Sequence, residues 1–502
     1  MPRLSLRILL VLVLPLAAYS FMLPSSFKTM DDQVSIVVNP LVRTCDVSRL
    51  FTEGYFKDNS YYRPLANLTF MGEYHAFGLN PFFYNLDNLL LHIANAFLVW
   101  VLVSYLTGNA VVGFWSGLLF AIHPIHWEAV ANISGRPILL CAFFGFLSFL
   151  SFLHADTRRQ TGWLAVSLAA FTAALLCKES AVVIPGVFFL YLVCMRAKAK
   201  DLAVVVPYAV LIGAYILLRQ NIGMTEIYQW RDPAEYMLGF VTFLRSLITH
   251  LRLFIFPTDL HFDRCLPLFT GLAQPQAMAT VFAWTAGLCW LWIGRKHIPP
   301  LVWLCLGWFS LELLPVSQTF ITIGVGVGYI STAEHFLYTA SVPVFILLVM
   351  GGMKVYGLVN EKHLVSPDIL TVLPALVIAA LWCATAEQSI YAGNELSMLE
   401  RSLRIQPYNA RVNFSAGMVY VLVHKFKEGE GYFRAAAAYD PFDARFRIAL
   451  GKSLCDQGKV RECLDVYDRI KDAGKFQDML NDNRRAAMAL LSRKTHAPVP
   501  QK

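Results

Sequence analysis

Apolar runs of about 20 residues recur along most of this chain, and they limit the fold more than any other feature. A helix that crosses a bilayer needs roughly 20 mostly apolar residues. Of the 502 residues, 57% are hydrophobic and only 15% are charged, whereas a soluble protein usually carries about 25% charged residues. The sequence therefore predicts an all-α, polytopic membrane protein.

We expect eleven spans, with the N-terminus in the cytoplasm. The first ends near Leu23, and the others lie at about 83–106, 111–122, 137–153, 163–177, 180–195, 203–219, 276–293, 300–316, 336–351 and 368–385. The segment 237–256 contains Arg245, His250 and Arg252, so it is interpreted as an interfacial helix on the outer face. A cleaved signal peptide is the alternative for the N-terminal run.

The net charge of +8 is distributed in short basic runs between the apolar segments, such as Arg295-Lys296. An excess of Lys and Arg is typical of cytoplasmic loops, so this charge indicates topology and not nucleic-acid binding. The exoplasmic parts are then 25–80, 123–136, 178–179, 220–275, 317–335 and everything after about 386. Ten cysteines include no C-x-x-C pair, so neither a disulfide framework nor a zinc site is expected.

The C-terminal part repeats with a period of 34 residues. The matching pairs are Pro407 and Pro441, Ala410 and Ala444, and Gly417 and Gly451. This period, with small residues and proline in register, is typical of tetratricopeptide repeats, which usually bind peptides on a concave surface. We therefore expect a membrane domain at 1–386 and an exoplasmic repeat domain at 387–502. A capping domain without a ligand is the alternative.

Charged residues cluster where four apolar runs end, and ionisable groups beside spans mark a functional site by default. Asp31-Asp32 follows the first span directly. Two adjacent carboxylates can raise the pKa of one of them, which suits a general base, and they could also hold a divalent cation. A solvated helix end is the simpler interpretation.

Three basic residues are candidate partners for a phosphate group. Arg63 in Tyr-Tyr-Arg-Pro and Arg136 in Gly-Arg offer planar guanidinium groups. Lys178 precedes Glu179 in the turn of a helical hairpin, where it could reach an anionic lipid head or simply neutralise its neighbour. A surface salt bridge is an equally good interpretation of Arg63.

Histidine and amide side chains form two further groups. Asn85, Asn88, His92 and Asn95 lie on one stripe of a span, where helix packing is a better interpretation than ligand binding. His123, His126 and Glu128 have a spacing similar to that of metal ligands. Because Pro124 interrupts the helix between them, hydrogen bonding to a substrate or loop is favoured over a metal.

These motifs occur in an order that resembles the transmembrane and tetratricopeptide-repeat protein O-mannosyltransferases of the glycosyltransferase C superfamily. The matching pieces are Asp31-Asp32 with Asn39-Pro40, Tyr62-Arg63-Pro64-Leu65, Asn88-x-x-Leu91-His92-x-x-Asn95, His123-Pro-Ile-His126-Trp-Glu128, Gly135-Arg136, Lys178-Glu179, Leu251–Pro257 leading to Asp263, and Ala333-Glu334-His335-Phe336. The resemblance covers nearly the whole chain.

The resemblance implies a polyprenyl-phosphate sugar donor, typically dolichyl-phosphate mannose, and a Ser or Thr hydroxyl of a polypeptide as acceptor. It implies that Asp31 and Asp32 lie at the catalytic centre. As part of the mechanism we expect Glu334 and Asp263 to orient the sugar or acceptor, and His335 is a further candidate for substrate binding. The chain departs from the family pattern at Ile138, where an acidic residue is usual, and at His335, where Arg is common. Its short repeat array suits a prokaryotic relative in a bacterial inner membrane; the endoplasmic reticulum membrane is the alternative.

The sequence is also compatible with other functional classes. A transferase could instead modify a glycan or a lipid. A transporter would place its charges near the bilayer midplane and would show symmetry between halves, neither of which is visible here. A membrane-anchored peptide-binding scaffold would need only the repeats and would leave the charged loops unexplained.

Overall fold

The computed structural model describes residues 2–55, 61–158, 160–196, 199–222, 233–319, 323–326, 328–363 and 365–495. They form two compact units. The first, called the membrane unit, comprises Met1–Leu260, Phe269–Thr322 and Glu334–Asn394. The second, called the repeat unit, comprises His261–Leu268, Ile323–Ala333 and Glu395–Lys502.

The membrane unit is helical. Its α-helices are α1 (Pro2–Tyr19), α2 (Pro40–Arg43), α3 (Val47–Thr52), α4 (Pro64–Phe77), α5 (Pro81–Thr107), α6 (Ala110–Ile122), α7 (Trp127–Val130), α8 (Arg136–Arg158), α9 (Thr161–Cys177), α10 (Ile184–Tyr191), α11 (Val206–Asn221), α12 (Pro233–Ile255), α13 (Pro275–Gly294), α14 (Pro300–Leu313), α15 (Leu337–Glu361) and α16 (Pro367–Ala392). Short 3-10 turns lead into several of them, including Glu179–Val183 before α10 and Glu334–Phe336 before α15.

Local sequence signals set the helix boundaries. Asn80 and Asn109 cap α5 and α6, because each side chain accepts a backbone N–H of the first turn. Gly108 ends α5 with a left-handed φ of 65°, which glycine adopts without steric cost. Pro124 bends the chain by 51° between Ala110–Ile122 and Pro124–Val130.

The polytopic membrane architecture is confirmed, but the count of eleven spans is revised. Within the described residues, nine helices are long and apolar enough to cross a bilayer, or ten if the bent pair at Pro124 is one span. Two of the expected spans are the short helices Thr161–Cys177 and Pro300–Val316. Conversely, Glu235–Ile255 is long and apolar enough to span, so its interfacial placement stays a prediction.

The polar stripe on α5 packs inside the membrane unit. Asn85, Asn88 and Asn95 are fully buried. The amide of Asn88 donates to the Asn132 carbonyl at 2.8 Å, and that of Asn95 donates to the Leu139 carbonyl at 3.0 Å. These contacts support the interpretation of the stripe as packing, since buried polar groups need partners.

The repeat unit consists of six α-helices and a small sheet in the described residues. The helices are α17 (Glu395–Ile405), α18 (Ala410–Leu422), α19 (Phe426–Tyr439), α20 (Ala444–Asp456), α21 (Val460–Asp468) and α22 (Gln477–Thr495). Strands β1 (Cys265–Pro267), β2 (Gly324–Gly326) and β3 (Tyr329–Ser331) are antiparallel in the order β1-β3-β2, with Cys265 opposite Ser331.

Two segments from outside the expected repeat domain belong to this unit. The boundary was expected at residue 387, whereas the repeat unit starts at Glu395 and also takes in His261–Leu268 and Ile323–Ala333. Gln406 joins them, because its side chain accepts the Cys265 N–H at 2.9 Å and donates to the Cys265 carbonyl at 2.8 Å. The amide thus replaces a neighbouring strand at the edge of β1, an arrangement without a local sequence signal.

A disulfide bond joins α20 to α21 through Cys455 and Cys463, whose Cα atoms are 5.5 Å apart. The expectation that the cysteines form no disulfide framework is corrected at this one pair. The two residues are eight positions apart in sequence, and only the antiparallel packing of two helices brings them together. Disulfide bonds persist mainly in oxidising compartments.

The 34-residue period recurs in the packing of the repeat unit. α18 and α20 begin at Ala410 and Ala444, 34 residues apart. Gly417 of α18 lies against the ring of Phe433, and Gly451 of α20 lies against the ring of Tyr467. Both glycine–aromatic pairs keep the same period, so the repeated sequence produces a repeated contact.

Replacing Gly417 with alanine should destabilise the repeat unit by about 1–3 kcal/mol, because overpacking in a filled core costs that much. The new Cβ would lie 2.6 Å from the ring of Phe433. Gly431→Ala in α19 is the matched control, since nothing lies within 4 Å of its position. Thermal unfolding with proteolysis of the C-terminal helices measures both variants, and equal stability would contradict the packing argument.

Candidate functional site

The four charged clusters at the ends of apolar runs are Asp31-Asp32, 123–128, Lys178-Glu179 and Glu334-His335. Three contacts connect them within the membrane unit. They are the hydrogen bond from the Ser134 N–H to Asp32 at 2.8 Å, the ion pair of Arg63 with Glu179 at 2.6 Å, and the hydrogen bond from the His335 N–H to Glu128 at 3.0 Å. Loops that are distant in sequence therefore form one polar network at the ends of their helices. Asp31, Asp32 and Arg63 share the first loop, which links the contacts.

The two carboxylates of the first loop have different surroundings. Asp32 is 1% exposed and accepts the backbone N–H groups of Lys28 and Ser134 at 2.9 and 2.8 Å. Asp31 is exposed, and its carbonyl accepts the hydroxyl of Ser35 at 2.6 Å. Asp32 therefore holds two chain segments together, whereas the Asp31 side chain is accessible to a substrate.

Arg63 lies in an aromatic setting beside the hairpin turn. Its guanidinium makes a bidentate pair with Glu179, at 3.1 Å from Nε and 2.6 Å from the terminal nitrogen. The same group lies 4.4 Å from the ring centroid of Tyr61 and 5.4 Å from that of Tyr55. Bidentate and cation–π contacts together fix the orientation of the guanidinium.

Tyr55 connects Arg63 with the acidic pair, and the sequence analysis did not identify it. Its side chain is 2% exposed, and the charges of Arg63, Asp31 and Asp32 all act on its hydroxyl. Burial raises the pKa of Tyr55, so the hydroxyl stays protonated. The one sequence signal for Tyr55 as a site residue is that it is an aromatic residue near a charged motif.

Lys178 is partly buried in the turn between α9 and α10. Among the described residues, its ammonium group has no hydrogen bond or ion pair. Burial lowers the pKa of Lys178 to about 8, and the nearby charge of Arg63 acts in the same direction. A partly buried cation that forms no direct ion pair among the described residues is a favourable place for an anionic group.

Three of the four candidate histidines, namely His92, His123 and His126, are fully buried or nearly so. Both ring nitrogens of each face a protein partner: Tyr338 and Ala121 for His92, Ile125 and Phe254 for His123, and Phe120 and Ser341 for His126. Each neutral ring donates once, to a carbonyl. These contacts support a structural role for the three rings.

Arg136 is buried at 1% exposure and bonded on every side. Its guanidinium pairs with Glu73 at 2.9 Å and donates to the Tyr84 carbonyl at 2.9 Å. It also donates to Asn88 and to Thr69. These four acceptors take up four of the five N–H donors of Arg136, and the side chain is buried, so the contacts support a structural role over the expected role as a phosphate clamp.

Glu128 on α7 and Glu334 in the turn before α15 are both buried. Each takes part in a contact that joins α7 to this turn. Glu128 is 3.2 Å from the Nδ1 atom of His335, and Glu334 accepts the indole N–H of Trp127 at 2.7 Å. His335 is the partly exposed member, at 28% of its side chain. Of these residues, His335 is therefore the one placed to meet a substrate.

Asp263 lies in the repeat unit, unlike the other candidates. Its carboxylate forms an ion pair with Arg411 and accepts the Asn409 amide at 3.1 Å. The Asn409 amide also donates to the Asp263 carbonyl at 2.6 Å. Asp263 thus anchors the segment His261–Leu268 to α18, and the expected role in orienting sugar or acceptor is not supported by these contacts.

Lys28 is a buried cation that the sequence analysis also missed. It is 4% exposed, and its ammonium donates to the Ala131 carbonyl at 2.7 Å. Its backbone N–H donates to the Asp32 carboxylate, so Lys28 helps to hold the acidic pair in place.

In the part of the chain that the structure describes, no group of three His, Cys, Asp or Glu side chains is arranged to hold a metal ion.

The chain is similar in sequence to several proteins that are all named protein O-mannosyl-transferases. Human protein O-mannosyl-transferase TMTC4 is 26% identical over 420 residues, covering 71% of this chain and 55% of the relative. The Caenorhabditis elegans protein O-mannosyl-transferase F38B6.6 is 24% identical over 463 residues, covering 87% of this chain and 63% of the relative. Human protein O-mannosyl-transferase TMTC1 is 26% identical over 498 residues, covering 86% and 55%.

The chain spans 55–63% of the length of these relatives. No family model matches it. An oligosaccharyltransferase from Archaeoglobus fulgidus is a structural neighbour at a TM-score of 0.43 and 13% identity, covering 80% of this chain and 59% of that one. The similarity to the transmembrane and tetratricopeptide-repeat O-mannosyltransferases, first indicated by the motifs, is confirmed by the sequence relatives.

Proposed function

We propose, starting from this similarity, that the chain is a membrane glycosyltransferase. It moves a mannose-like sugar from a polyprenyl phosphate to a Ser or Thr hydroxyl of a polypeptide. The donor and the acceptor come from the resemblance and from the names of the relatives. The polar network at the helix ends supports a reaction at the membrane surface.

The observation that carries the proposal is the pairing of an accessible base with an accessible cation in one network. Asp31 is exposed, and Lys178 is partly buried without an ion pair among the described residues. The charge of Asp31 acts on Tyr55, whose ring lies 5.4 Å from the Arg63 guanidinium, and the charge of Arg63 acts in turn on Lys178. Glycosyl transfer from a phosphate needs both groups, one for the attacking hydroxyl and one for the leaving group.

The reaction proceeds as one displacement. Asp31 takes the proton of the acceptor hydroxyl, and the hydroxyl oxygen forms a bond to the anomeric carbon. The bond between that carbon and the phosphate oxygen breaks, and the phosphate leaves with the electron pair. Lys178 and Arg63 stabilise the charge that develops on it, and the configuration at the anomeric carbon inverts.

The remaining residues of the network position these groups. Asp32 and Lys28 hold the first loop against the segment around Ser134. Glu179 orients Arg63, and Glu128 orients His335 beside the acceptor. These are positioning roles, because contacts with protein groups account for their polar atoms.

The repeat unit supplies the acceptor, in this proposal, by holding a polypeptide near the site and raising its effective concentration. The disulfide bond between Cys455 and Cys463 supports an exoplasmic location, because such bonds form in oxidising compartments. The bacterial periplasmic face and the lumen of the endoplasmic reticulum both satisfy this condition.

Transfer of labelled sugar is the direct test. The full chain in detergent or nanodiscs is given polyprenyl-phosphate mannose and a Ser/Thr-containing peptide, with polyprenyl-phosphate glucose as a second donor. Labelled peptide that resists mild acid and yields an O-linked glycan supports the proposal. Label on lipid or free glycan alone would assign a different acceptor, and no transfer from either donor to any acceptor would reject the enzyme.

The ratio kcat/KM for the donor should fall as the pH rises above about 8. Lys178 carries its charge below its pKa of about 8 and loses it above that value. The phosphodiester keeps one negative charge throughout, so only the cation changes. In Lys178→Arg the decline should disappear, because a guanidinium keeps its proton at all these pH values. An unchanged profile in this variant would exclude Lys178 as the titrating group.

A further inference from the structure

A cleft opens on the surface of the membrane unit between α9 and α11. Its volume is about 520 Å³, and its walls include Leu168, Ala169 and Thr172 on α9 and Pro207, Val210 and Leu211 on α11. All but Thr172 are apolar. The volume lies within the range of about 300–1,000 Å³ that is typical of ligand sites.

The two helices that form the cleft are held together by polar and aromatic contacts. The hydroxyl of Tyr208 on α11 lies 2.6 Å from that of Ser167 on α9. Its ring packs edge-on against Phe171, with centroids 5.4 Å apart. Tyr208 and Ser167 are both fully buried, so this contact fixes the spacing of the two helices beside the cleft.

Both helices lead from the cleft towards the polar network. α9 ends at Cys177, directly before Lys178. At 1.5 Å per residue, Lys178 lies roughly 9 Å beyond Thr172 along α9, and Arg219 lies roughly 12 Å beyond Leu211 along α11. The apolar cleft is thus followed at one end by cations on both of its walls.

Tyr215 on α11 adds a hydroxyl group at the end of the cleft where Lys178 and Arg219 lie. It is 6% exposed, and among the described residues its hydroxyl has no hydrogen-bond partner. Its ring lies 6.2 Å from that of Tyr62, and the charges of Glu179, Arg219 and Arg63 act on it. A buried hydroxyl without a partner is costly unless a ligand satisfies it.

We propose that the cleft between α9 and α11 binds the isoprenoid chain of a polyprenyl phosphate, whose phosphate group contacts Lys178 and Tyr215. This inference rests on the proposed function, from which the donor class comes. Lipid tails are as apolar as the cleft, so the chain gains little from leaving the bilayer. Selection therefore comes from the shape of the cleft and from Lys178 and Tyr215 at its end.

Photolabelling tests the site without sugar transfer. Full-length protein in nanodiscs is labelled with a diazirine-bearing polyprenyl phosphate, and the modified peptides are mapped. We expect label on α9 and α11, competed by unlabelled polyprenyl phosphate and not by phosphatidylglycerol. Equal competition by phosphatidylglycerol would identify an ordinary lipid crevice and overturn the proposal, as would label confined to other helices.

Two variants separate the chain from the head group. Ala169→Trp fills the cleft and should lower labelling about fivefold, whereas Ala286→Trp, on an exposed position of α13, should not change it. Tyr215→Phe should lower labelling by the phosphate and leave that by the neutral polyprenol unchanged. Equal loss in Ala169→Trp and Ala286→Trp would contradict a specific cleft.

The outcomes also distinguish this inference from the proposed function. Label in the cleft without sugar transfer to any acceptor would reject the transferase and keep the lipid site. Sugar transfer by wild-type protein, with label outside the cleft, would reject the lipid site and keep the transferase.

Discussion

Replacing Asp31 with asparagine should lower the rate of sugar transfer by about 10²–10⁴-fold, the usual contribution of a general base. Asparagine has nearly the same shape but cannot accept the hydroxyl proton. Because the Asp31 side chain is exposed, the change should leave folding intact and reduce kcat more than donor affinity. The measurement is single-turnover transfer with saturating donor and peptide, together with the thermal midpoint of the variant.

Two other carboxylates of the same loop serve as comparisons. Glu53 forms an exposed pair with Arg49, at 41% exposure for each side chain, so Glu53→Gln should retain activity and stability. Asp32→Asn should lose folded protein, because the buried carboxylate accepts two backbone N–H groups. Full activity in Asp31→Asn, or an equal loss in Glu53→Gln, would contradict Asp31 as the base.

Replacing Arg136 with methionine should destabilise the membrane unit by about 3–5 kcal/mol, the cost of leaving one charge of a buried pair alone. The change would isolate the Glu73 carboxylate, which is 5% exposed, and would also remove the donor to the Tyr84 carbonyl. Thermal unfolding in detergent, followed by the fluorescence of buried tryptophans, reports the loss.

The double variant Arg136→Met with Glu73→Leu distinguishes the charge from the packing. Exchanging a buried ion pair for apolar side chains is often nearly neutral, so the double variant should recover much of the lost stability. Arg485→Met is the surface control, since Arg485 and Asp482 are 77% and 72% exposed. If Arg136→Met kept full stability and lost only donor binding, Arg136 would be a phosphate ligand after all.

The span count shows where sequence patterns lose precision. Apolar length and charge predicted nearly every membrane helix, because both are local properties of about 20 residues. The short runs at 163–177 and 300–316 are predicted as spans, yet in the structure they are helices of only 17 residues or fewer. Helix length in a bundle depends on tilt and on neighbouring helices, which no single window of sequence contains.

The candidate site shows a similar division. Arg63, Arg136 and Lys178 were equivalent by sequence, as cations next to apolar runs. The structure separates them by their partners: Arg136 is enclosed by four acceptors, Arg63 is paired with Glu179, and Lys178 has no ion pair among the described residues. Asp263 was grouped with these residues by sequence, but it lies in the repeat unit, where it forms an ion pair with Arg411.

The amino-acid sequence is sufficient to identify the helical membrane class, the 34-residue period and the acidic pair after the first span, since each depends on neighbouring residues and their hydropathy or spacing. It does not show which charges are enclosed by partners, that Asp31 is the accessible carboxylate, or that two loop segments complete the repeat unit. Those outcomes depend on contacts across more than 100 positions, such as Ser134 with Asp32 and Gln406 with Cys265. Desolvation and hydrogen bonding at such contacts determine the role of a charged side chain. Neither can be predicted from the residues next to it in the sequence.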